Sequence, residues 1–360
     1  MNEFTLIGKA VIAGKVVEDA AVAVSDSRII YAGEKSSAPK CGETVTVDGW
    51  ILPGFIDIHC HAGDGVWVHN DLKTASDFHL KHGTTTMCAT LYRDLGFEGL
   101  RRAIEKITDE MPHCPNVMGI HLEGPYLNPK YGALSRGGEL VADPEDYLPL
   151  LNYPTVRHVT FAPEVCGTDE FLSELVSRKI VPSVGHSAAS PEDIRRVSAN
   201  GVKNVTHLFD ATGASYSPTR WAGTIETDFN TAVLIEDGLT YEIICDKDGI
   251  HVRPEMVKLV KKTVGADRII GITDACGDDG EGEEINILNG ELNGSKLTMN
   301  RVARNFYNLG FTMPEVVKVT SENAARLMGI FDRKGSLEAG KDADIVTVDD
   351  SFNVINVYKS

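Results

Sequence analysis

A parallel (β/α)8 barrel, carrying a small β-sandwich domain built from both chain ends, is the α/β fold this 360-residue sequence predicts. Three observations predict it. Eight apolar, strand-like runs alternate with helix-like stretches through the middle of the chain. Short apolar stretches broken by Gly and Asp occur at both termini. Five of the eight runs end in imidazoles or carboxylates, and the C-terminal ends of the strands are where a parallel barrel gathers its reactive groups.

At the N-terminus, FTLIGKAVIAG, AAVAVSDSRIIYAGE and TVTVDGW have the pattern of a meandering antiparallel sheet. The C-terminal KGSLEAGKDADIVTVDDSFNVINVYKS reads the same way, so 1–50 and 335–360 are expected to share one domain and 51–334 to form the barrel. The barrel strands are WILPGFIDIH, TTTMCATL, NVMGIHLEG, RHVTFAPE, KIVPSVGHS, VKNVTHLFD, YEIICD and RIIGITDA. Between them lie DLKTASDFHLKHG, FEGLRRAIEKITDEM, TDEFLSELVSRK, SPEDIRRVSANG and PEMVKLVKKTVG, several opening with the Asp, Thr, Ser or Pro that start helices. A doubly wound open sheet is the alternative arrangement of the same alternation. DACGDDGEGEE, 274–284, reads beyond its first residue as a solvated surface excursion.

Composition narrows the function. A hydrophobic content of 42% supports a barrel-sized core, while a formal net charge of −17 argues against nucleic acid or an anionic membrane surface as the main partner. The start, MNEFTLIGKAVIAG, lacks a basic segment followed by an apolar one, and no apolar run approaches membrane-spanning length, so a cytoplasmic location is expected. Seven dispersed cysteines without a C-x-x-C pair suggest reduced, mostly buried thiols rather than a disulfide framework or a zinc knuckle. Metal ligands must come from His, Asp and Glu.

In GFIDIHCHAG, 54–63, period-two alternation puts Phe55, Asp57, His59 and His61 on one side and Ile56, Ile58 and Cys60 on the other. The third strand aligns Gly119, His121 and Glu123; the fifth ends at His186, the sixth at His207 and the eighth at Asp274. Nitrogen ligands with anionic oxygens suit Zn or Fe, and six candidates invite two divalent ions. His59, His61, Glu123 and Asp274 can hold one ion; His186, His207 and the shared Glu123 can hold the other, with an activated water between them. A lone strand histidine is more often structural, and His121 is expected to sit behind the ligands, as is Asp57. His69, His79, His82, His113 and His158 are expected to be surface or hydrogen-bonded histidines in loop- or helix-like segments.

At PGFIDIHCH, HLEGPYLNP, GHS, THLFDA, DGIH and TDA the sequence resembles the amidohydrolase superfamily and, within it, the N-acetylglucosamine-6-phosphate deacetylase family. GSKLTMNRVARN and GSLEAGKDADIVTVD extend the likeness over most of the chain. The resemblance implies metal-dependent hydrolysis of an N-acetylhexosamine 6-phosphate to the amino sugar phosphate and acetate, in a homodimer. It assigns Glu123, His186 and His207 as principal metal ligands and Asp274 as the proton-transferring catalytic residue. Some relatives lack the histidine pair and use one ion; the presence of His59 and His61 favours two. Glu164, at the end of the fourth strand, is expected to orient its neighbours.

By the same resemblance Ala133, Asp210, Ala211, His251, Leu292 and Gly294 line the sugar site, the last two in a turn. Three departures stand out. The family has Asn at Asp210, His at Leu134, and a His-His-Arg stretch where this chain reads SYSPTRW. Pro218 stands in place of the phosphate-pairing arginine, so Arg220 or Arg136 must take that role, and Asp210 adds a negative charge where an anion is expected unless a cation intervenes. A metal-dependent amidohydrolase acting on an unphosphorylated N-acetyl sugar, or on another N-acyl or cyclic amide, is the alternative. A non-catalytic binding protein on the same scaffold is a third reading, opposed by the complete ligand set and Asp274.

Overall fold

The computed structural model describes residues 3–132, 141–213, 223–224, 226–277 and 280–360. The chain opens with β1 (Phe4–Ile12), β2 (Lys15–Ser25), β3 (Arg28–Glu34) and β4 (Glu43–Pro53). The barrel follows: β5 (Phe55–Cys60), β6 (Thr84–Tyr92), β7 (Val117–Glu123), β8 (Val156–Phe161), β9 (Val181–Val184), β10 (Asn204–Val205), β11 (Thr240–Ile244) and β12 (Ile269–Ile272). Each is parallel to the next.

A helix follows every barrel strand: α1 (Leu72–Lys81), α2 (Gly96–Glu110), α3 (Pro144–Leu151), α4 (Thr168–Ser177), α5 (Pro191–Ala199), α6 (Phe229–Ile235), α7 (Pro254–Val264) and α8 (Met299–Asn308). The helix-start reading holds locally. Asp71 caps α1 by accepting from Thr74 N–H, and Ser190 with Asp193 forms a reciprocal capping box on α5, with Pro191 in its first turn. In α2 the buried Leu100, Ala103, Ile104 and Ile107 recur at helical spacing and share the main core with Ile56 and Ile58 of β5.

The barrel closes between β5 and the end of β12. Asp274 N–H donates to His59 O at 2.9 Å and His61 N–H to Ala275 O at 3.0 Å. The bonds that close the cylinder thus lie beside the strand-end side chains. Its interior differs from the usual layers of branched aliphatics. Asp57, Thr90, His121, Thr160, Ser183, Asn204, Thr206, Glu242 and Thr273 are all fully buried.

These groups hydrogen-bond in sequence around the barrel. Thr273 Oγ1 donates to Asp57 at 2.6 Å, and Asn204 Nδ2 to Glu242 at 2.6 Å and to Ser183 at 3.1 Å. Ser183 bonds Thr206 at 2.6 Å, Thr206 bonds Thr160 at 2.7 Å, and Thr160 bonds His121 at 2.8 Å. Burying so many polar groups is tolerable because each has a partner.

After β12 come a hairpin, β13 (Ile285–Leu288) and β14 (Glu291–Ser295), and two returning strands, β15 (Ile345–Val348) and β16 (Val354–Tyr358). The terminal strands form one continuous six-stranded sheet, ordered β16-β15-β4-β1-β2-β3, with its own core including Leu6, Val22, Ile51 and Ile345. The antiparallel meander is corrected at one place: β1 and β4 are parallel, because the chain crosses β2 and β3 before returning alongside β1. All seven cysteines are free, and five are buried. No helix among the described residues is long and apolar enough to cross a membrane.

Candidate metal centre and active site

Six strand-end side chains meet on one face of the barrel. Glu123 stands at their centre. Its Oε1 lies 2.8 Å from His186 Nε2, 3.0 Å from His207 Nε2 and 3.4 Å from His59 Nε2, and its Oε2 lies 3.3 Å from His61 Nε2. Asp274 Oδ1 lies 3.3 Å from His59 Nε2 and 3.2 Å from His61 Nε2. Glu123 therefore bridges a His186–His207 half and a His59–His61–Asp274 half. His186, His207 and Asp274 have φ of 47°, 28° and 48°, a left-handed region that non-glycine residues enter at a cost, and each stands just past a strand end.

The partners behind the rings fix their tautomers. His59 Nδ1 donates to Glu242 Oε2 at 3.1 Å, His186 Nδ1 to Tyr131 O at 3.0 Å, and His207 Nδ1 to Asp210 O at 3.2 Å. Carboxylates and carbonyls only accept, so Nδ1 carries a proton in each ring, and Nε2 is the nitrogen that faces the centre and would ligate an ion. Burial alone would raise the carboxyls of Glu123 and Asp274, yet the neighbouring imidazoles hold both below the ordinary carboxylate range. Convergent ring nitrogens and ionised carboxylates at these separations are the donor set of a divalent cation site.

A third buried group, Asp57, Cys60 and His79, fits a metal less well, because His79 Nε2 already donates to Ala62 O at 2.7 Å. Asp57 acts on backbone: it accepts from His59 N–H at 3.3 Å and from the Thr273 hydroxyl, tying β5 to β12 beside Asp274. His121 lies behind the candidate ligands, in T-shaped contact with the His59 ring at 4.5 Å between centroids. Glu164 touches no ligand side chain. It accepts from Asn128, Ser187 and Ala188 N–H, holding together the loops on either side of His186.

An open cavity rises above the centre, walled by Trp67, Tyr92, Tyr131, Asp210, Ala211, His251, Leu292 and Gly294. Leu292 and Gly294 belong to strand β14; the hairpin's turn falls at Asn289 and Gly290 instead. His251 Nδ1 donates to Asp210 Oδ2 at 2.5 Å and its Nε2 to Gly294 O at 3.1 Å. Two acceptors on one ring require an imidazolium. Burial opposes that charge, but Asp210 raises the His251 pKa while His251 lowers that of Asp210. Ala133, Leu134, Arg136, Pro218 and Arg220 lie outside the described residues.

Two other expectations change. His158 belongs to β8, not to a loop or helix; it is fully buried, stacks on His121 at 4.1 Å and lies 3.7 Å from Glu242. The 274–284 excursion turns inward at its end, where buried Glu284 accepts from Lys247 N–H and Asn305. Glu242 was the functional neighbour that sequence reasoning missed. Its signal was a lone acid inside the apolar run YEIIC.

The amidohydrolase family model matches residues 50–360. The chain belongs to the amidohydrolase family. That family is metal-dependent, in keeping with the donor set. The chain is 32% identical to the N-acetylglucosamine-6-phosphate deacetylase of Bacillus subtilis (strain 168), over 95% of this chain and 91% of that one. It is 28% identical to the N-acetylgalactosamine-6-phosphate deacetylase of Escherichia coli O157:H7, over 86% of each. Among solved structures, a mutant N-acetylglucosamine-6-phosphate deacetylase from Mycobacterium smegmatis, in complex with N-acetylglucosamine 6-phosphate, superposes with a TM-score of 0.86. It is 26% identical and covers 100% of this chain and 98% of that one.

Proposed function

We propose that this amidohydrolase is a deacetylase that hydrolyses an N-acetylhexosamine 6-phosphate, N-acetylglucosamine 6-phosphate first, to the amino sugar phosphate and acetate. The observation carrying the reading is the convergence of four histidine Nε2 atoms on Glu123 and Asp274 beneath an open cavity. The similarity to deacetylases of both hexosamine epimers supports it.

Glu123, His186 and His207 would hold one divalent ion, and His59, His61, Asp274 and the shared Glu123 a second, Zn or Fe by donor type. When bound, such ions polarise an acyl carbonyl and lower the pKa of water. Asp274, 9% exposed at the cavity floor, takes the proton from the attacking water and returns it to the amide nitrogen, which leaves poorly as an anion. A depressed pKa keeps Asp274 ionised.

The Asp210–His251 pair answers the charge conflict at the sugar site. With the imidazolium 2.5 Å from the carboxylate, Asp210 no longer presents an uncompensated negative charge to a substrate phosphate. Ala211, Leu292, Gly294 and Ala133 would border the sugar, and Arg220 would pair with the phosphate. We place the catalytic barrel at 51–334, the small domain at 1–50 and 335–360, and the protein in the cytoplasm as a homodimer, for which light scattering is the check.

Acetate release from N-acetylglucosamine 6-phosphate, N-acetylgalactosamine 6-phosphate and the unphosphorylated sugars tests the reading. A higher kcat/KM on a phosphorylated sugar is expected. Equal or better turnover of an unphosphorylated one overturns the phosphate assignment, and no acetate from any overturns the deacetylase.

A further inference from the structure

The three ring-locking contacts are unlike. His186 and His207 lean on main-chain carbonyls of loop residues, whereas His59 leans on a fully buried carboxylate. Glu242 is itself fixed: Asn204 Nδ2 donates to its Oε1, and Asn204 Oδ1 accepts from Thr240 Oγ1 at 2.7 Å. His158, the other imidazole near it, lies 3.7 Å from Glu242, beyond hydrogen-bond reach, and burial drives its pKa down to about 4, so it stays neutral. An ionised carboxylate at full burial needs a compensating positive charge. His59 is the group through which that compensation reaches it.

We infer that Glu242 is a positioning residue: it holds His59 with Nε2 free for the ion of the His59–His61–Asp274 half and sets that ion's affinity, leaving the Glu123–His186–His207 half unaffected. This rests on the two-ion reading above. A histidine donating to a carboxylate is a more basic ligand than one donating to a carbonyl, and two divalent ions bring more positive charge than Glu123 and Asp274 offset. Glu242 supplies further negative charge from behind the ligand, out of reach of the substrate.

Chelator-stripped protein titrated with Zn2+, with metal content measured directly, tests this without activity. Wild type is expected to take two ions per chain. Glu242→Gln keeps the size and one of the two acceptor oxygens, and should weaken one ion about 10- to 100-fold with the other within about twofold. Asn204→Ala, which removes the donor to the other carboxylate oxygen along with the Asn204 bonds to Ser183 and Thr240, should weaken the same ion less; it carries the test if Glu242→Gln does not fold. In a His61→Ala background, where that half is already broken, Glu242→Gln should alter nothing further. Unchanged affinities for both ions, or equal losses at both, overturn the role of Glu242 while sparing the two-ion centre. A wild type holding one ion overturns both.

Discussion

In the proposed mechanism Asp274 is the residue on which turnover depends most. Its replacement by Asn keeps the shape and removes the proton acceptor, so kcat should fall about 10²- to 10⁴-fold while the circular dichroism spectrum and melting temperature stay near wild type. A variant with near-native rate would remove Asp274 from its role. Gly132 tests the support of a ligand. With φ at 104°, a Cβ there would stand 2.6 Å from His186 Nδ1, so Gly132→Ala should displace the ring and lower occupancy of the Glu123–His186–His207 half, read as bound metal per chain. The convergence of the six strand-end side chains was legible because the C-terminal ends of parallel barrel strands lie on one face, so each strand's last inward residue falls there. Glu242 was not, because an acid inside an apolar run is equally the mark of a misjudged strand, and only the ring nitrogen facing it gives it meaning.

Among the elements, α5 shows how local sequence sets a helix start. Ser190→Ala removes half of the capping box and should cost about 1 kcal/mol in denaturant unfolding, with catalysis unchanged. The five helix-like stretches named from their caps all form helices, with α1, α2, α4, α5 and α7 within them or at their edges. The parallel pairing of β1 with β4 was not legible, because alternation reports which face is buried and says nothing of which strand lies alongside. The polar belt was hidden for a related reason. Thr90, Thr160, Ser183 and Thr206 look like ordinary strand residues until the closed sheet turns them toward one axis.

At the scale of the molecule, two kinds of linkage hold distant segments. Metal binding stabilises the folded chain, so chelation should abolish activity and lower the melting temperature; free metal at a hundred times its Kd contributes about 2.7 kcal/mol, recoverable on adding Zn2+ or Fe2+. Asp342, which joins Arg28 of β3 to Arg333 across the terminal sheet, does the same for the chain ends. Burial opposes its ionisation, but the Arg333 hydrogen bond and nearby cations lower its pKa. Its stabilisation is therefore full above the ordinary Asp pKa near 4 and lost as the pH falls through the depressed folded value. Asp342→Asn should cost about 2 kcal/mol at neutral pH, a difference from wild type that shrinks in acid unfolding series.

By itself the sequence determined the alternation of strands and helices, the face each strand buries, and the residue types at each strand's end, because these follow from local periodicity and composition. The tertiary structure alone decided that Asp210 spends its charge on His251 and that Glu242 stands behind His59. Each is a contact between residues far apart in the chain, made only when the barrel closes and the distances around its axis fall within reach of a hydrogen bond.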